Sequence, residues 1–471
     1  MVALAATLCG PAQSKVRLPH VIGDNMVIQR NAQARLWGWS KPGREVRVSV
    51  SWNDARYTAR AGRDGKWQLS VPTPEAGFKP LSITFDDGDP VTVNNVLSGE
   101  VWICAGQSNM EMPVRGFDNC PVEGYNDAVA EARNYPGVRH IKVPSQMSMR
   151  PLDDADCRWD ECNAEGVQWA SATGYFFARM LSGQLGVPVG LIEANKGGSR
   201  VESWLDADNL KKYTDERLDS TSIFSIQTDC YRPLVWGNGT VAPIQNYTAR
   251  GIVYYQGCSN VGYHTDQYAR RLGILVDQWR RDFGRADMPF YFVEIAPFSY
   301  DDNDGTGAAL LREQQQLASR QIANSGIVGT NDCAYPWEAY QIHPCQKRKV
   351  GERLAWLALT GTYGKKGFIA KSPSMESYKV DGGKIVVKVR DTEGGMCPIY
   401  GMEGFEIAGA DRKFHKAEAH YDWQGSIEVS SKDVPQPVAV RYCFHNFALG
   451  NVRNQGGLPL LPFRTDSWDG Q

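Results

Sequence analysis

Three textures of apolar and polar positions succeed one another along the chain. From residue 17 to about 98, short segments alternate the two classes, at 34–39, 46–50, 67–71 and 81–85. Turn signals separate them: Lys41-Pro42-Gly43, Arg63-Asp64-Gly65 and Asp86-Asp87-Gly88-Asp89. Period-two alternation with turns at this spacing predicts a small β-sandwich. From 99 to about 370 the pattern changes to apolar runs interleaved with helical periodicity. The predicted strands are 100–105, 187–193, 251–256, 289–295 and 326–330, and the predicted helices are 171–185, 266–283, 308–323 and 345–359. Such alternation predicts an α/β fold, a parallel sheet flanked by helices. From 371 to 471 the texture returns to β, with clear alternation at 384–389 and 439–444.

Residues 2–9 are apolar and precede Gly10-Pro11-Ala12-Gln13-Ser14, so 1–16 is expected to be a secretory signal-like segment and the protein to be exported, periplasmic or secreted. The stretch is too short to span a bilayer, and no other run approaches that length. The bulky Leu8 argues against a lipid anchor on Cys9.

The net charge of −2 gives no reason to expect nucleic acid or anionic membrane as a partner. The 14 Trp and 20 Tyr suit either a carbohydrate ligand or well-filled β cores. Eleven cysteines lack C-x-x-C pairs, and zinc-binding and phosphate-loop motifs are missing, so no metal or cofactor is expected. Cys157 and Cys162 are close enough in sequence to bridge. Oligomeric state is left open.

Ala105-Gly106-Gln107-Ser108-Asn109-Met110 follows the apolar run ending at Cys104. A glycine that lets the chain turn, with a serine on the turn beside backbone N–H groups, is what a nucleophilic serine requires. The second glycine of the G-x-S-x-G elbow is missing, so this is not an α/β-hydrolase turn. Three further segments close other apolar runs or open a helix. Gly197-Gly198-Ser199 allows N–H groups to approach a bound oxygen. Gln256-Gly257-Cys258-Ser259-Asn260 offers an amide donor. His343-Pro344 places an imidazole just before a helix with apolar residues at 350, 354, 357 and 358. The other six histidines have weaker chemical contexts.

Gly-Gln-Ser-Asn-Met, Gly-Gly-Ser…Glu-Ser-Trp, Tyr-Gln-Gly-x-Ser-Asn and Ile-His-Pro…Lys…Gly-Glu-Arg-Leu-Ala, in this order, resemble the sialate O-acetylesterase family of SGNH-type carbohydrate esterases. Segments near 24–30, 99–102, 404–409 and 457–464 extend the resemblance over nearly the whole chain. The resemblance implies an SGNH-like esterase domain at 99–370 between the β domains at 17–98 and 371–471. It implies Ser108 as nucleophile, His343 as general base and then acid, and an oxyanion hole from the N–H groups of Ser108 and Gly198 with the Asn260 side chain. Gln107, Arg200 and Gln256 are expected to contact substrate. Two positions depart from the family pattern: Cys258 and Gln341 stand where relatives often carry acids. Glu338 is then the expected orienting acid, with a Ser-His dyad steadied by a backbone carbonyl as the alternative.

The function implied is hydrolysis of O-acetyl esters of sialic acid through an acetyl-serine. Acetylxylan or another plant polysaccharide is the alternative substrate, a catalytically decayed sugar-binding protein the alternative class, and thiol catalysis by Cys258 a third reading. Arg115 and Arg200 suit a sialate carboxylate, since guanidinium pairs well with that group.

Overall fold

The computed structural model describes residues 15–468, apart from Asp301 and Trp423. The signal-like segment therefore lies almost entirely outside the described residues.

The central sheet is built from β1 (Val91–Gly106), β2 (Val138–Lys142), β3 (Val189–Asn195), β4 (Gly251–Tyr255), β5 (Phe290–Val293) and β6 (Ser325–Val328). Their spatial order is β6-β5-β4-β1-β3-β2, and every pairing among them is parallel. A short antiparallel strand, Trp159–Glu161, closes the β2 edge. Helices cover both faces, which is why these strands read as continuous apolar runs. The faces separate with the period of two that a strand imposes. Ile103, Ala105, Ile252 and Tyr254 pack with α3 (Tyr268–Asp282) and α4 (Gly307–Gln321). Trp102, Cys104, Val253 and Tyr255 pack with α2 (Ala172–Leu185) and α5 (Lys347–Gly361). Ser171 caps α2 by accepting the Gly174 N–H, and Gly186, at φ +67°, ends it.

The register has one consequence for function. Asn195 of β3 and Tyr255 of β4 both pair with Gly106 of β1. Three adjacent strands thus end level, and the loops that follow them leave the sheet side by side. In parallel α/β sheets, ligands bind at such carboxyl ends.

The N-terminal β region is continuous with this sheet. The first half of β1 pairs with Val27–Gln29 and with Gly77–Asp86, which carries Glu45–Val50 and Arg56–Arg60 beyond it. Gln33–Trp39 and Lys66–Pro72 form a second, two-stranded layer. The residue 98/99 boundary falls inside one strand, because β1 serves both sheets. The C-terminal region has its own core and two four-stranded antiparallel sheets, one containing Lys384–Arg390 and the other Ala439–Tyr442.

Each predicted strand and helix of the central layer is present within a few residues of its expected bounds, except that the first strand, expected at 100–105, begins nine residues earlier at Val91 because it also serves the N-terminal sheet. The strand missed was β2, whose Arg139 and His140 break the apolar pattern. Both are buried because partners await them: His140 Nδ1 is 3.0 Å from Glu193 Oε1, and Arg139 Nη2 is 3.2 Å from Glu161 Oε1. Cys157 and Cys162 do not bridge: the first donates to Ala155 O, and the second is buried in the core on the α2 side.

Helices α2 and α5 pack tightly at Gly351, where a Cβ would lie 2.6 Å from Thr173 O and 2.8 Å from Phe176 Cβ. Gly351→Ala is therefore expected to destabilise the fold by about 1–3 kcal/mol. A urea midpoint equal to wild type would show that this contact has slack.

Candidate active site

At the end of β1 the chain must turn beneath the β4 loop. Gly106 adopts φ +141°, and a Cβ there would stand 2.3 Å from Tyr255 O. Only glycine fits, on both counts. The next N–H, that of Gln107, donates to Tyr255 O at 3.0 Å, and Gln107 Oε1 accepts the Gly257 N–H at 2.8 Å. Helix α1 (Ser108–Glu111) starts here, so the Ser108 N–H is the first of a helix and has no intrahelical acceptor.

Ser108 Oγ lies 2.7 Å from His343 Nε2. These residues are far apart in sequence, and a compact network joins their loops. Asn109 Nδ2 donates to Ile342 O at 3.0 Å, and Asn109 Oδ1 accepts from Lys347 Nζ at 2.8 Å. Lys347 Nζ also donates to Pro344 O at 2.7 Å. Phe117 packs edge-on against the imidazole, with ring centroids 5.2 Å apart.

The acidic partner expected of Glu338 is not where the sequence suggested. Its carboxylate accepts the N–H groups of Tyr335 at 2.8 Å and Cys345 at 2.9 Å, so it clamps the loop around His343. No hydrogen bond joins it to the imidazole among the described residues. The reason is local: Glu338 sits in a short helical turn, Pro336–Glu338, whose first N–H groups attract a carboxylate. Gln341 Oε1 accepts the His343 N–H at 3.2 Å. Among the described residues the site is therefore a serine–histidine pair with no carboxylate bonded to the ring.

Burial, and then the Lys347 cation, lower the His343 pKa from its usual value to about 4. The imidazole is thus neutral at physiological pH and free to accept a proton. Burial also lowers Lys347 to about 8, against the pull of the nearby Glu338 carboxylate. Cys258 is buried and its thiol is pushed up to about 11, chiefly by desolvation. Its thiolate is scarce at neutral pH, and His343 is engaged by Ser108, which leaves no basis for thiol catalysis.

The oxyanion candidates converge from the β3 and β4 loops. A Cβ on Gly197 would lie 3.5 Å from Ser108 Cβ, so this loop packs directly on the serine. The Gly197 N–H is taken by Glu111 Oε2 at 2.8 Å. Gly198, at φ +74°, presents the next N–H, and a Cβ there would strike Cys230 Sγ at 2.6 Å. Asn260 is buried. Its Oδ1 accepts from Gln256 Nε2 and Val201 N, and its Nδ2 donates to Glu202, which is paired with Arg271 at 2.6 Å. That arrangement fixes the amide and leaves its second N–H uncommitted.

Of the expected substrate contacts, Gln107 and Gln256 are buried braces. Gln256 donates to Ser199 O and Asn260 Oδ1 and accepts from Tyr268 Oη. Their amides tie adjacent loops together. Arg200 is stacked between Tyr263 and Tyr231, at 3.5 and 3.9 Å from the ring centroids. Asn109 and Lys347 received no role from the sequence. A lysine on the apolar stripe of α5, three residues before Val350, is the signal that marks one of them.

His343 opens onto a cleft of about 760 Å³ lined also by Arg115, Phe117, Cys120, Lys142, Asp160 and Trp169. Among the described residues, no cluster of His, Cys, Asp or Glu is arranged to hold a metal ion.

The His343 ring is expected to titrate near pH 4 in an NMR titration. Gln341→Glu places a carboxylate beside the histidine loop and is expected to raise that pKa by about one unit or more, because an anion favours imidazolium. An unmoved titration would mean that position 341 does not reach the ring electrostatically.

Residues 98–360 match the family model described as carbohydrate esterase, sialic acid-specific acetylesterase. Sialate O-acetylesterases of Homo sapiens and Pongo abelii are each 27% identical over 398 residues, covering 77% of this chain and 74% of theirs. A carbohydrate acetylesterase from Xanthomonas citri has a similar structure, with a TM-score of 0.85, 32% identity, and coverage of 96% of this chain and 100% of that one. With a matching family model over more than half its length and a site built around a serine and a neutral histidine, the chain belongs to the sialic acid-specific acetylesterase family of carbohydrate esterases and is a carboxylic ester hydrolase.

Proposed function

We propose that the protein removes O-acetyl groups from sialic acid, with Ser108 as nucleophile and His343 as the sole proton-transfer residue. The observation that carries this reading is the 2.7 Å contact between Ser108 Oγ and His343 Nε2 at the carboxyl end of the sheet. Ser108 Oγ attacks the acetyl carbonyl carbon as its proton passes to Nε2. The carbonyl oxygen gains negative charge and is held by the N–H groups of Ser108 and Gly198 and the free amide N–H of Asn260. The bond to the sugar oxygen then breaks, and His343 returns the proton to that oxygen. Water, deprotonated by the same nitrogen, attacks the acetyl-serine; the bond to Ser108 Oγ breaks, Oγ takes the proton back from Nε2, and acetate leaves.

With no carboxylate on Nδ1, the imidazolium is stabilised by little beyond its surroundings. A depressed pKa makes His343 a weaker base, yet one that stays active into acid solution. Arg115 supports the sialate reading. It lines the cleft beside His343, and its guanidinium makes no ion pair among the described residues, which leaves it available to the sugar carboxylate. Export is part of the same proposal, supported by the apolar residues 2–9 of the sequence.

Acetate release from O-acetylated N-acetylneuraminic acid tests the assignment. Ser108→Ala is expected to abolish it, and Asn260→Ala to lower kcat about 100- to 1,000-fold. Arg115→Ala is expected to raise KM for the sialate about tenfold or more, while 4-nitrophenyl acetate, which has no carboxylate, is spared. Undiminished turnover by folded Ser108→Ala would end the serine mechanism. Equal Arg115→Ala effects on both esters would remove the carboxylate contact.

A further inference from the structure

The catalytic cleft does not stop at the size of one sugar. Trp169 and Asp160 line both the cleft that holds His343 and a second cavity of about 440 Å³, which is lined further by Asn25, Asn95, Arg158, Glu161 and Asn163. Each cavity alone lies in or near the range of a small-molecule site. In series they suit a chain of rings.

Trp169 stands at the junction, and it is 53% exposed. The main chain on either side of it is held by the catalytic segment. Val114 N donates to Ala170 O at 2.9 Å and Arg115 N to Gln168 O at 3.1 Å, so two backbone bonds bracket it. Both come from the segment that directly follows the nucleophile helix. The Arg115 guanidinium lies over the indole at 4.7 Å from its centroid. The backbone that carries the ring is thus tied to the segment following Ser108, while much of the residue faces solvent. Its position, lining both cavities at once, is what marks it as a ligand contact.

The second cavity is organised from beneath. Arg139, nearly buried, donates to Asn25 O at 2.9 Å, Asn95 Oδ1 at 3.1 Å and Glu161 Oε1 at 3.2 Å. Asn95 Nδ2 also donates to Asn25 Oδ1 at 2.7 Å. On the catalytic side, His140 is 97% buried, and its Nε2 has no hydrogen-bond partner among the described residues. An aromatic face between amide- and carboxylate-lined pockets is the chemistry that recognises a glycan. The apolar C–H face of a pyranose covers the ring, and its hydroxyls bond to the polar walls.

We infer that Trp169 is the platform of an additional sugar subsite, so that the acetylated residue is recognised as part of an oligosaccharide extending over Trp169 toward the Asn25–Asn95 cavity. This rests on the reading of Ser108 and His343 as a carbohydrate esterase site. The first consequence is that chain length, and not only the acetylated sugar, sets the rate at low substrate.

The test compares kcat/KM on O-acetylated sialyllactose with that on free O-acetylated N-acetylneuraminic acid. Wild type is expected to favour the trisaccharide about tenfold, as loss of one stacked ring costs roughly that factor. Trp169→Ala is expected to erase the preference, and Trp169→Tyr, which keeps an aromatic face, to retain most of it. Hydrolysis of 4-nitrophenyl acetate reports that each variant is folded and catalytically assembled. Equal rates on both sialosides, or a preference that survives Trp169→Ala, overturn the subsite. Should neither sialoside be cleaved while the small ester is, the sialate reading fails. The same ratio measured on acetylated xylo-oligosaccharides against acetylated xylose then decides the subsite, and failure to cleave these also overturns it.

Discussion

The site depends on the level ending of three parallel strands. Asn195, Gly106 and Tyr255 are register neighbours, and the backbone crosses so tightly there that position 106 admits no side chain. This one approach delivers Ser108, the Gly197-Gly198 loop and the Gln256–Asn260 segment to the same place. None of these loops needs to search for the others, because the sheet hydrogen bonds fix their starting points.

A second layer holds the histidine. His343 lies far along the loop that runs from β6 to α5, well away from the strand end, so its position relies on side chains. Asn109 reaches from the nucleophile helix to Ile342, Lys347 bonds both Asn109 and Pro344, and Glu338 clamps the loop from the other side. Lys347 is a buried cation, and burying one without partners is strongly unfavourable. Its two hydrogen bonds and the neighbouring Glu338 carboxylate compensate. The same cation helps to keep the imidazole neutral, so loop positioning and proton affinity share a cause.

That sharing explains the departure at Gln341. With no anion on the ring, His343 loses the assistance that an acid gives to imidazolium, and it gains a wide range of pH over which it remains a base. The amide at 341 keeps a structural task, accepting the His343 N–H. Losing the charge there leaves the loop geometry supported while altering the chemistry. The esterase site and the Trp169 cavity then belong to one surface, because the segment leaving α1 carries Arg115 and brackets Trp169.

Much of this was legible in the sequence because it is local. Apolar runs and helical stripes located the central strands and helices, and short motifs at strand ends or before a helix singled out Ser108, Gly198, Asn260 and His343. Periodicity failed at β2, where Arg139 and His140 are buried against Glu161 and Glu193, partners that only folding supplies. The roles expected of Glu338, Gln107 and Gln256 from their place in the motifs differ from their contacts in the structure. A carboxylate or amide near a motif looks the same whether it faces substrate or ties two loops, since the choice is made by whichever N–H groups lie within reach. The sequence by itself determined the chemistry available, a serine, a histidine and amide donors on loops at strand ends. Only the tertiary structure decided which of these groups meet. That required strand register and loop-to-loop hydrogen bonds between residues more than 200 positions apart, such as Ser108 and His343.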